Sequence, residues 1–260
     1  MFPILFHIGP WPVHSYYLLW TAALSLAVVM TRRRMNRFEG VDDDSARFII
    51  TAAFFGMLLG ARLGSIADSL PLYTGDPLKL LRFWEGGLSA VPAFLGAGAG
   101  GIWASRRRGV PLWIVAESAS IPAALAVSIG RWGCFLNGCC TGLPSSLPWA
   151  VHFPADPSGL TRHPVQLYYA FGALAIAIVL FRLEPLLPRA REKKKVSGAL
   201  LWPLFMILYS LLRLALDPLR EEYTRTGLQS VRVMLFGICS AGALWLIHSF
   251  RSRSGIPSER

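Results

Sequence analysis

The chain has 260 residues, of which 53% are hydrophobic and 16% charged, and its mean hydropathy is +0.46. A soluble domain carries roughly 25% charged residues, so this composition argues against a soluble protein and indicates a membrane protein. A net charge of +11 would suit a nucleic-acid-binding protein, but the positions of the basic residues point to membrane topology instead.

Apolar blocks of about 20 residues, the length that crosses a hydrocarbon core as a helix, follow one another along the chain. The seven blocks span 13–31, 47–67, 88–105, 111–135, 165–183, 198–217 and 229–249. The first block is too long for a cleaved signal peptide, so we expect it to be retained as a helix. No linker long enough to separate two domains is visible. The sequence therefore predicts one all-α integral membrane domain over residues 1–260, a polytopic bundle of seven transmembrane helices.

Basic residues are concentrated on alternate connections between these blocks. They follow the first block (Arg32, Arg33, Arg34, Arg37), the third (Arg106, Arg107, Arg108), the fifth (Arg182, Arg189, Arg191, Lys193, Lys194, Lys195) and the seventh (Arg251, Arg253, Arg260). The positive-inside rule assigns such connections to the cytoplasm. The N-terminus is then predicted outside and the C-terminus inside. The stretch 137–164, which holds a cysteine pair and two histidines, lies on an outer connection.

A run of small residues, Gly96 to Gly101, lies inside the third block. Small residues let helix backbones approach closely in a membrane, and we favour this packing role. A helix thinned to accommodate a lipid tail is the alternative.

Arg131 ends an uncharged stretch that runs from Ser118 to Gly130. A guanidinium at the end of a membrane-length apolar segment is energetically costly, which makes it by default a functional-site residue. Glycines, the amide of Asn137 and three thiols follow it within a few residues. This mixture predicts a binding site for an anionic, phosphate-like group.

Tyr209, Arg213 and Asp217 recur at intervals of four residues in the sixth block, and Arg220 follows them. Positions four residues apart lie near one face of a helix, so these side chains form a column. The alternative is an Arg213–Asp217 ion pair that only stabilises the bundle. We favour the functional interpretation because Arg220 adds a second cation that Asp217 alone cannot neutralise. With Arg131, these arginines could hold a phosphodiester through bidentate contacts.

Three further polar residues lie in or beside the apolar blocks. Glu117, near the start of the fourth block, would be protonated or paired, and we favour a structural pairing over a buried acid. Arg62 either extends to the membrane interface or contributes to the headgroup site. His163 lies where the outer connection enters the fifth block, where it suits a base or a hydrogen-bond partner, with a structural role as the alternative.

Three of the four cysteines, Cys134, Cys139 and Cys140, lie at the outer end of the fourth block. If that end faces an oxidising compartment, a disulfide within the outer connection is the favoured interpretation. A zinc site completed by His152 or His163 is a weaker alternative, because the spacing lacks separated C-x2-C pairs. A nucleophilic cysteine is a third alternative, although no residue that would activate it is visible.

Five stretches together resemble the prolipoprotein diacylglyceryl transferase family. Residues 130–138 (GRWGCFLNG) are similar to the family's G-R-[IL]-G-N-F-I-N-G, and residues 163–168 (HPVQLY) to its H-P-[ST]-Q-L-Y. Residues 209–220 are similar to its Y-x3-R-x3-E-x2-R. Residues 60–64 (GARLG) and 84–89 (WEGGLS) are similar to G-A-R-L-G and W-x-G-G-M-S. These stretches occur in the family's order and span most of the chain.

The resemblance implies a seven-helix enzyme of the bacterial inner membrane, with its active site toward the periplasm. The implied reaction moves the diacylglyceryl group of phosphatidylglycerol to the thiol of a prolipoprotein lipobox cysteine and releases glycerol phosphate. It implies no metal or cofactor; the expected partners are phosphatidylglycerol, the prolipoprotein signal peptide and membrane lipid, with no nucleic acid. Arg131 and Arg213 match essential arginines. The functional or supporting positions of the family match Tyr16, Glu117, Asn137, Gly142, Tyr209 and Asp217.

The chain departs from the family pattern in places that concern the acceptor. Val91 stands where the family has a histidine proposed to assist catalysis, and Cys134 and Cys139 replace an asparagine and a carboxylate. The catalytic base is therefore open, and the candidates are His163, Glu117 and His14. Two alternative functions stay open: a divergent transferase that uses the same donor with another acceptor, and a non-catalytic lipid-binding membrane protein.

Overall fold

The computed structural model describes residues 1–70, 89–186 and 200–221, together with Gly242. Most of them are helical. The helices are α1 (Ser15–Phe38), α2 (Asp43–Asp68), α3 (Ala90–Arg108), α4 (Leu112–Asn137), α5 (Val165–Leu183) and α6 (Leu201–Leu216). Short 3-10 turns, Glu184–Leu186 and Asp217–Leu219, follow α5 and α6. Two antiparallel strand pairs complete the list: β1 (Ile4–Ile8) with β2 (Trp11–His14), and β3 (Val151–His152) with β4 (Thr161–Arg162).

The six helices coincide with the first six predicted blocks, so a mainly helical architecture is confirmed for the described part of the chain. Within the described residues, four segments are long and apolar enough to cross a membrane: Asp43–Ala67, Leu112–Asn137, Val165–Leu186 and Leu201–Leu219. The seventh block, 229–249, and the stretch 84–88 lie outside the described residues, apart from Gly242. The seven-helix count and the orientation of the termini therefore stay predictions.

The helix ends follow from local sequence. Asp42 caps α2, because its side-chain oxygen accepts a hydrogen bond from the backbone N–H of Ser45 at 2.8 Å. Gly109 ends α3 in a left-handed conformation (φ 64°), which glycine adopts without the steric penalty that a Cβ would bring.

The chain divides into two compact units, Met1–Met30 with Ala119–Arg260, and Thr31–Ser118. The first unit has an apolar core that α4, α5 and α6 supply, with Leu180, Ala124 and Phe205 among its buried members. The second unit has a smaller core around Met35, Ile49 and Ala104. A single domain over 1–260 stays a prediction.

Helices α2 and α3 of the second unit are in backbone contact through glycines. A Cβ built at Gly96 would overlap the carbonyl group of Gly56, and one built at Gly60 would overlap the carbonyl of Pro92. Contact this close is possible only where both helices lack side-chain bulk. The favoured packing role of the glycine run is therefore confirmed.

Gly96→Ala and Gly98→Ala are expected to change stability in opposite directions, although the two glycines lie in one helix. A methyl at Gly96 overlaps the α2 backbone, and overpacking of this kind costs about 1–3 kcal/mol. A Cβ at Gly98 meets nothing within 4 Å, so alanine there stabilises the helix by about 0.4–1 kcal/mol. Thermal unfolding of the two purified variants in one detergent measures both changes. Destabilisation of equal size in both would contradict the packing explanation.

An N-terminal hairpin was not predicted from sequence, which assigned no structure before residue 13. The turn between β1 and β2 contains Gly9 with φ 60°, followed by Pro10. The backbone N–H of Ser15 donates to the carbonyl of Pro3 at 3.0 Å, which ties the hairpin to the first turn of α1. The run of apolar residues concealed the hairpin, since it does not alternate with polar ones.

Candidate functional site

Asp217, which lies just after α6, is the shared partner of three side chains. Its carboxylate is buried, with 3% of the residue exposed. Arg213 donates to Oδ2 of Asp217 from Nε at 3.0 Å and from Nη2 at 2.8 Å. The Tyr169 hydroxyl donates to Oδ1, and Nη1 of Arg220 lies 3.7 Å from the same oxygen. Arg213 and Asp217 of the predicted column are thus connected to Arg220 and Tyr169.

Arg131, near the end of α4, meets the same group through Tyr169. Its guanidinium carbon lies 4.6 Å from the centre of the Tyr169 ring. Tyr209 lies within electrostatic range of Arg131 and Arg213. A cation–π contact orients a guanidinium without neutralising it. Among the described residues, no acidic side chain forms an ion pair with Arg131.

We call Arg131, Tyr169, Arg213, Asp217 and Arg220 the cationic cluster. It holds three guanidinium groups and one carboxylate: Arg213 and Arg220 lie at the carboxylate, and Arg131 stacks on Tyr169. These five side chains together therefore carry an excess of positive charge. Guanidinium groups in a partly buried setting are preferred partners of phosphate oxygens, because their planar donors match the geometry of the anion. The arrangement is suited to bind an anionic headgroup.

The segment after α4 is joined to the end of α6 by backbone hydrogen bonds. Gly142 and Arg220 form an antiparallel bridge, and the N–H of Leu143 donates to the carbonyl of Leu219 at 2.8 Å. Gly142 also donates to the carbonyl of His163 at 3.1 Å. A Cβ at Gly142 would approach that carbonyl oxygen to 2.6 Å, so only glycine fits this position.

The side chain of Gln166 attaches the start of α5 to the same segment. It is fully buried, and its Nε2 donates to the carbonyl of Cys139 at 2.7 Å. Backbone and amide contacts thus link the segment that contains Cys139 and Gly142 to α5 and to Arg220.

Asp156 and Arg162 stabilise the loop that lies between Gly142 and α5. The Arg162 guanidinium is buried and donates to Asp156, to the carbonyl of Gly142 at 3.2 Å and toward Glu221 at 3.1 Å. The Arg162 donor and the Ser158 hydroxyl hold the pKa of Asp156 well below its ordinary value. The loop is therefore fastened by an ionised carboxylate.

Acidification is expected to loosen this loop. Because the pKa of Asp156 is lower in the folded than in the unfolded chain, the stabilisation is present above about pH 4 and is lost as pH falls toward the folded pKa. Hydrogen exchange should show protection factors of the β3 and β4 amides that decrease below about pH 4. In Asp156→Asn the protection should already be low at neutral pH and should change less on acidification. A wild-type profile that matches that of Asp156→Asn would refute the assignment.

The two predicted histidine bases lie in different surroundings. His163 is partly exposed beside the Gly142 segment, and its Nδ1 lies 3.3 Å from the Tyr168 hydroxyl. Tyr168 also accepts a hydrogen bond from Trp149 Nε1 at 2.7 Å. His14, at the end of β2, packs edge-to-face against Tyr17 with ring centres 5.9 Å apart. His163 belongs to the loop that adjoins the cationic cluster.

The three cysteines after Arg131 are all free thiols in this structure. The Sγ atoms of Cys139 and Cys140 are 3.9 Å apart, far beyond the roughly 2.05 Å of a disulfide. The disulfide expected from sequence is therefore wrong for this structure. The Cys139 thiol donates to the backbone carbonyl of Cys134 at 3.7 Å, with Asn137 close by, and Tyr16 lies within electrostatic range of all three sulfurs.

The structure brings most predicted site residues together in the first unit. That group comprises Tyr16, Arg131, Asn137, Gly142, His163, Tyr209, Arg213, Asp217 and Arg220. Arg62 and Glu117 belong to the second unit, where each is buried and has polar partners. Val91 is 55% exposed in the first turn of α3. The roles of Arg62 and Glu117 stay predictions.

Sequence reasoning missed Tyr169 and Gln166. Both lie on the buried face of α5 with Ala173, Ala177 and Leu180, at helical spacing. A tyrosine or glutamine on such a face needs a partner for its polar atoms, and that requirement was the available signal. The partners, Asp217 and the Cys139 carbonyl, are distant in sequence and could not be identified from it.

Known proteins match this chain over most of its length. The family model for prolipoprotein diacylglyceryl transferase matches residues 3–248. Relatives named phosphatidylglycerol–prolipoprotein diacylglyceryl transferase include one from Geobacter sulfurreducens, 31% identical over 87% of this chain and 85% of its own length. The relative from Methylocella silvestris is 30% identical over 93% of this chain and 87% of its own length. The relative from Synechococcus elongatus is 28% identical over 96% of this chain and 89% of its own length. The chain belongs to the prolipoprotein diacylglyceryl transferase family.

Proposed function

We propose that this chain transfers the diacylglyceryl group of phosphatidylglycerol to the thiol of a lipobox cysteine in a prolipoprotein signal peptide. Its family membership supports the reaction class. The observation that carries the proposal is Arg131, a guanidinium in an apolar helix that stacks on Tyr169, with no acidic partner among the described residues. An anionic headgroup would supply the missing charge.

The cationic cluster suits the charge changes of this reaction. The bond that breaks joins the glyceryl carbon of the diacylglyceryl group to a phosphate oxygen, and the acceptor thiolate forms a thioether to that carbon. One negative charge on the thiolate and one on the phosphodiester become two charges on the departing glycerol phosphate. Arg131 and Arg213 would stabilise that developing charge, and Arg220 would strengthen the stabilisation.

The acceptor thiol must lose its proton before it attacks. His163 is the base that we propose, because it belongs to the loop bound to Gly142 and Arg220 and its ring is partly exposed. Glu117 and His14 are the alternatives. Tyr209 is proposed to act beside Arg131 and Arg213, while Tyr16, Asn137, Gly142, Arg62 and Glu117 are proposed to contact or position the substrates.

The protein is proposed to be a single seven-helix domain of the bacterial inner membrane, with its N-terminus outside and C-terminus cytoplasmic. The apolar spans and the exposed large side chains of α5, among them Phe171, Ile178 and Phe181, support contact with lipid. Arginines at the ends of α1 and α3 support cytoplasmic ends for those helices. Arg131 and Asp217 then belong to the periplasmic side.

The full chain should be reconstituted with phosphatidylglycerol that is labelled in its glycerol headgroup, and incubated with a lipobox peptide. We expect thioether-modified peptide by mass spectrometry and an equal amount of labelled glycerol phosphate. A peptide with serine in place of the cysteine is the control and should give neither product.

The other outcomes separate the alternatives. Label release that depends on the protein but leaves the peptide unmodified would overturn the proposed acceptor and indicate another one. Saturable lipid binding without either product would overturn catalysis and indicate a lipid-binding protein.

A further inference from the structure

The three thiols at the end of α4 are grouped around one point. The Sγ atoms of Cys134, Cys139 and Cys140 all lie within 4.8 Å of one another. Cys134 is 4% exposed, Cys139 is half-buried and Cys140 is exposed, so the group is anchored in the protein yet reachable from outside. The reaction proposed above uses none of these thiols.

The spacing of the sulfurs fits a shared ligand. Thiolates bind Zn²⁺ at about 2.3 Å, so two sulfurs on one ion lie about 3.8 Å apart in tetrahedral geometry and about 4.0 Å in trigonal geometry. The observed Cys139–Cys140 separation is 3.9 Å. The Cys134 sulfur lies within 4.8 Å of the other two, and small side-chain rotations would bring it to about 3.9 Å from each.

The surroundings of the thiols compensate the charge of a metal–thiolate group. Three thiolates around Cu⁺ or Zn²⁺ leave a net negative charge, and Arg131 and Arg220 both lie within electrostatic range of Cys140. The side chain of Asn137 lies close to the Cys139 sulfur, where its amide would donate to a metal-bound thiolate as partners of metal ligands commonly do. Cys140 itself has φ 61°, an uncommon conformation for a residue with a Cβ and one that is often found at functional sites.

We propose that Cys134, Cys139 and Cys140 form a binding site for one thiophilic metal ion. Among the described residues, no fourth histidine, cysteine or acidic residue belongs to the group. Soft three-thiolate coordination suits Cu⁺, whereas Zn²⁺ prefers four ligands and would require water as the fourth. The two ions are therefore distinguishable by affinity.

The test uses the reduced full-length protein in detergent, titrated separately with Cu⁺ and Zn²⁺ against chromogenic chelators. We expect one ion per chain, a thiolate-to-metal charge-transfer absorption, and tighter retention of Cu⁺. Cys140→Ser, at an exposed position, and Cys139→Ser should each weaken binding on the order of 100-fold. Cys239→Ser is the matched control, because it removes the fourth cysteine of the sequence, and it should bind as the wild type does.

Unchanged affinity in Cys140→Ser, or binding without a charge-transfer absorption, would overturn the site. So would a stable disulfide between any two of the three cysteines in protein purified under reducing conditions. None of these measurements depends on transferase activity, so the metal site and the proposed function can fail independently.

Discussion

Arg131→Lys is expected to lower kcat for thioether formation by about 10²- to 10³-fold, the effect of removing one preorganised donor to developing negative charge. Lysine keeps the positive charge, but it lacks the planar fork that binds two phosphate oxygens and the delocalised face that stacks on Tyr169. The rate of appearance of modified peptide, with phosphatidylglycerol and lipobox peptide both saturating, measures kcat.

The matched control is Arg108→Lys. The Arg108 guanidinium also rests on an aromatic ring, 4.5 Å from the centre of Phe48, but it pairs with the exposed Asp44 at 2.7 Å. Exposed pairs of this kind contribute little, so this variant should keep the wild-type rate. If Arg131→Lys stays within about threefold of the wild type, the bidentate role of Arg131 is wrong.

Asp217→Asn is expected to destabilise the protein by about 3–5 kcal/mol and to abolish most of its activity, because it removes the charge of a buried carboxylate from two partly buried guanidinium groups. Arg213 loses two charged contacts, Arg220 loses its nearby oxygen charge, and Tyr169 keeps only a neutral acceptor. Chemical unfolding followed by circular dichroism gives the stability, and the peptide assay gives the activity. Asp217→Glu, which matches the family pattern, should retain the fold and most of the activity.

Asp43→Asn provides the comparison for burial. Asp43 also binds two arginines, Arg32 and Arg47, each at 2.6 Å, but its side chain is 40% exposed. Its loss should cost less than about 1 kcal/mol, since water screens exposed ion pairs. Equal destabilisation by the two substitutions would show that the number of arginines, and not burial, decides the effect.

The parts of the structure that could be predicted depend on local periodicity. Apolar blocks of membrane length located six helices, and the four-residue spacing placed Arg213 and Asp217 on one helix face, where they form an ion pair. The resemblance to a family supplied the roles proposed for Arg131 and Gly142, which stay predictions. These inferences need only the residues that are close to each position in sequence, or a known family pattern.

What could not be predicted depends on contacts between distant segments. The Tyr169–Asp217 hydrogen bond and the Gly142–Arg220 bridge join α5 and the loop to the end of α6, and nothing in local sequence specifies such pairs. The disulfide expectation failed because sequence spacing says nothing about the distance between sulfurs, which the turn at Gly138 and Cys140 determines. The N-terminal hairpin was missed because its strands lack polar alternation.

The bridge between Gly142 and Arg220 has a consequence for the order in which the protein is made. Its two partners are separated by the whole of the loop, α5 and α6, so the bridge cannot form until α6 has been synthesised and packed. Arg213, Asp217 and Arg220 arrive at the same late stage. A nascent chain that has not yet inserted α6 therefore holds Arg131 without Arg213, Asp217 and Arg220, and the proposed headgroup site is assembled only after α6 has packed.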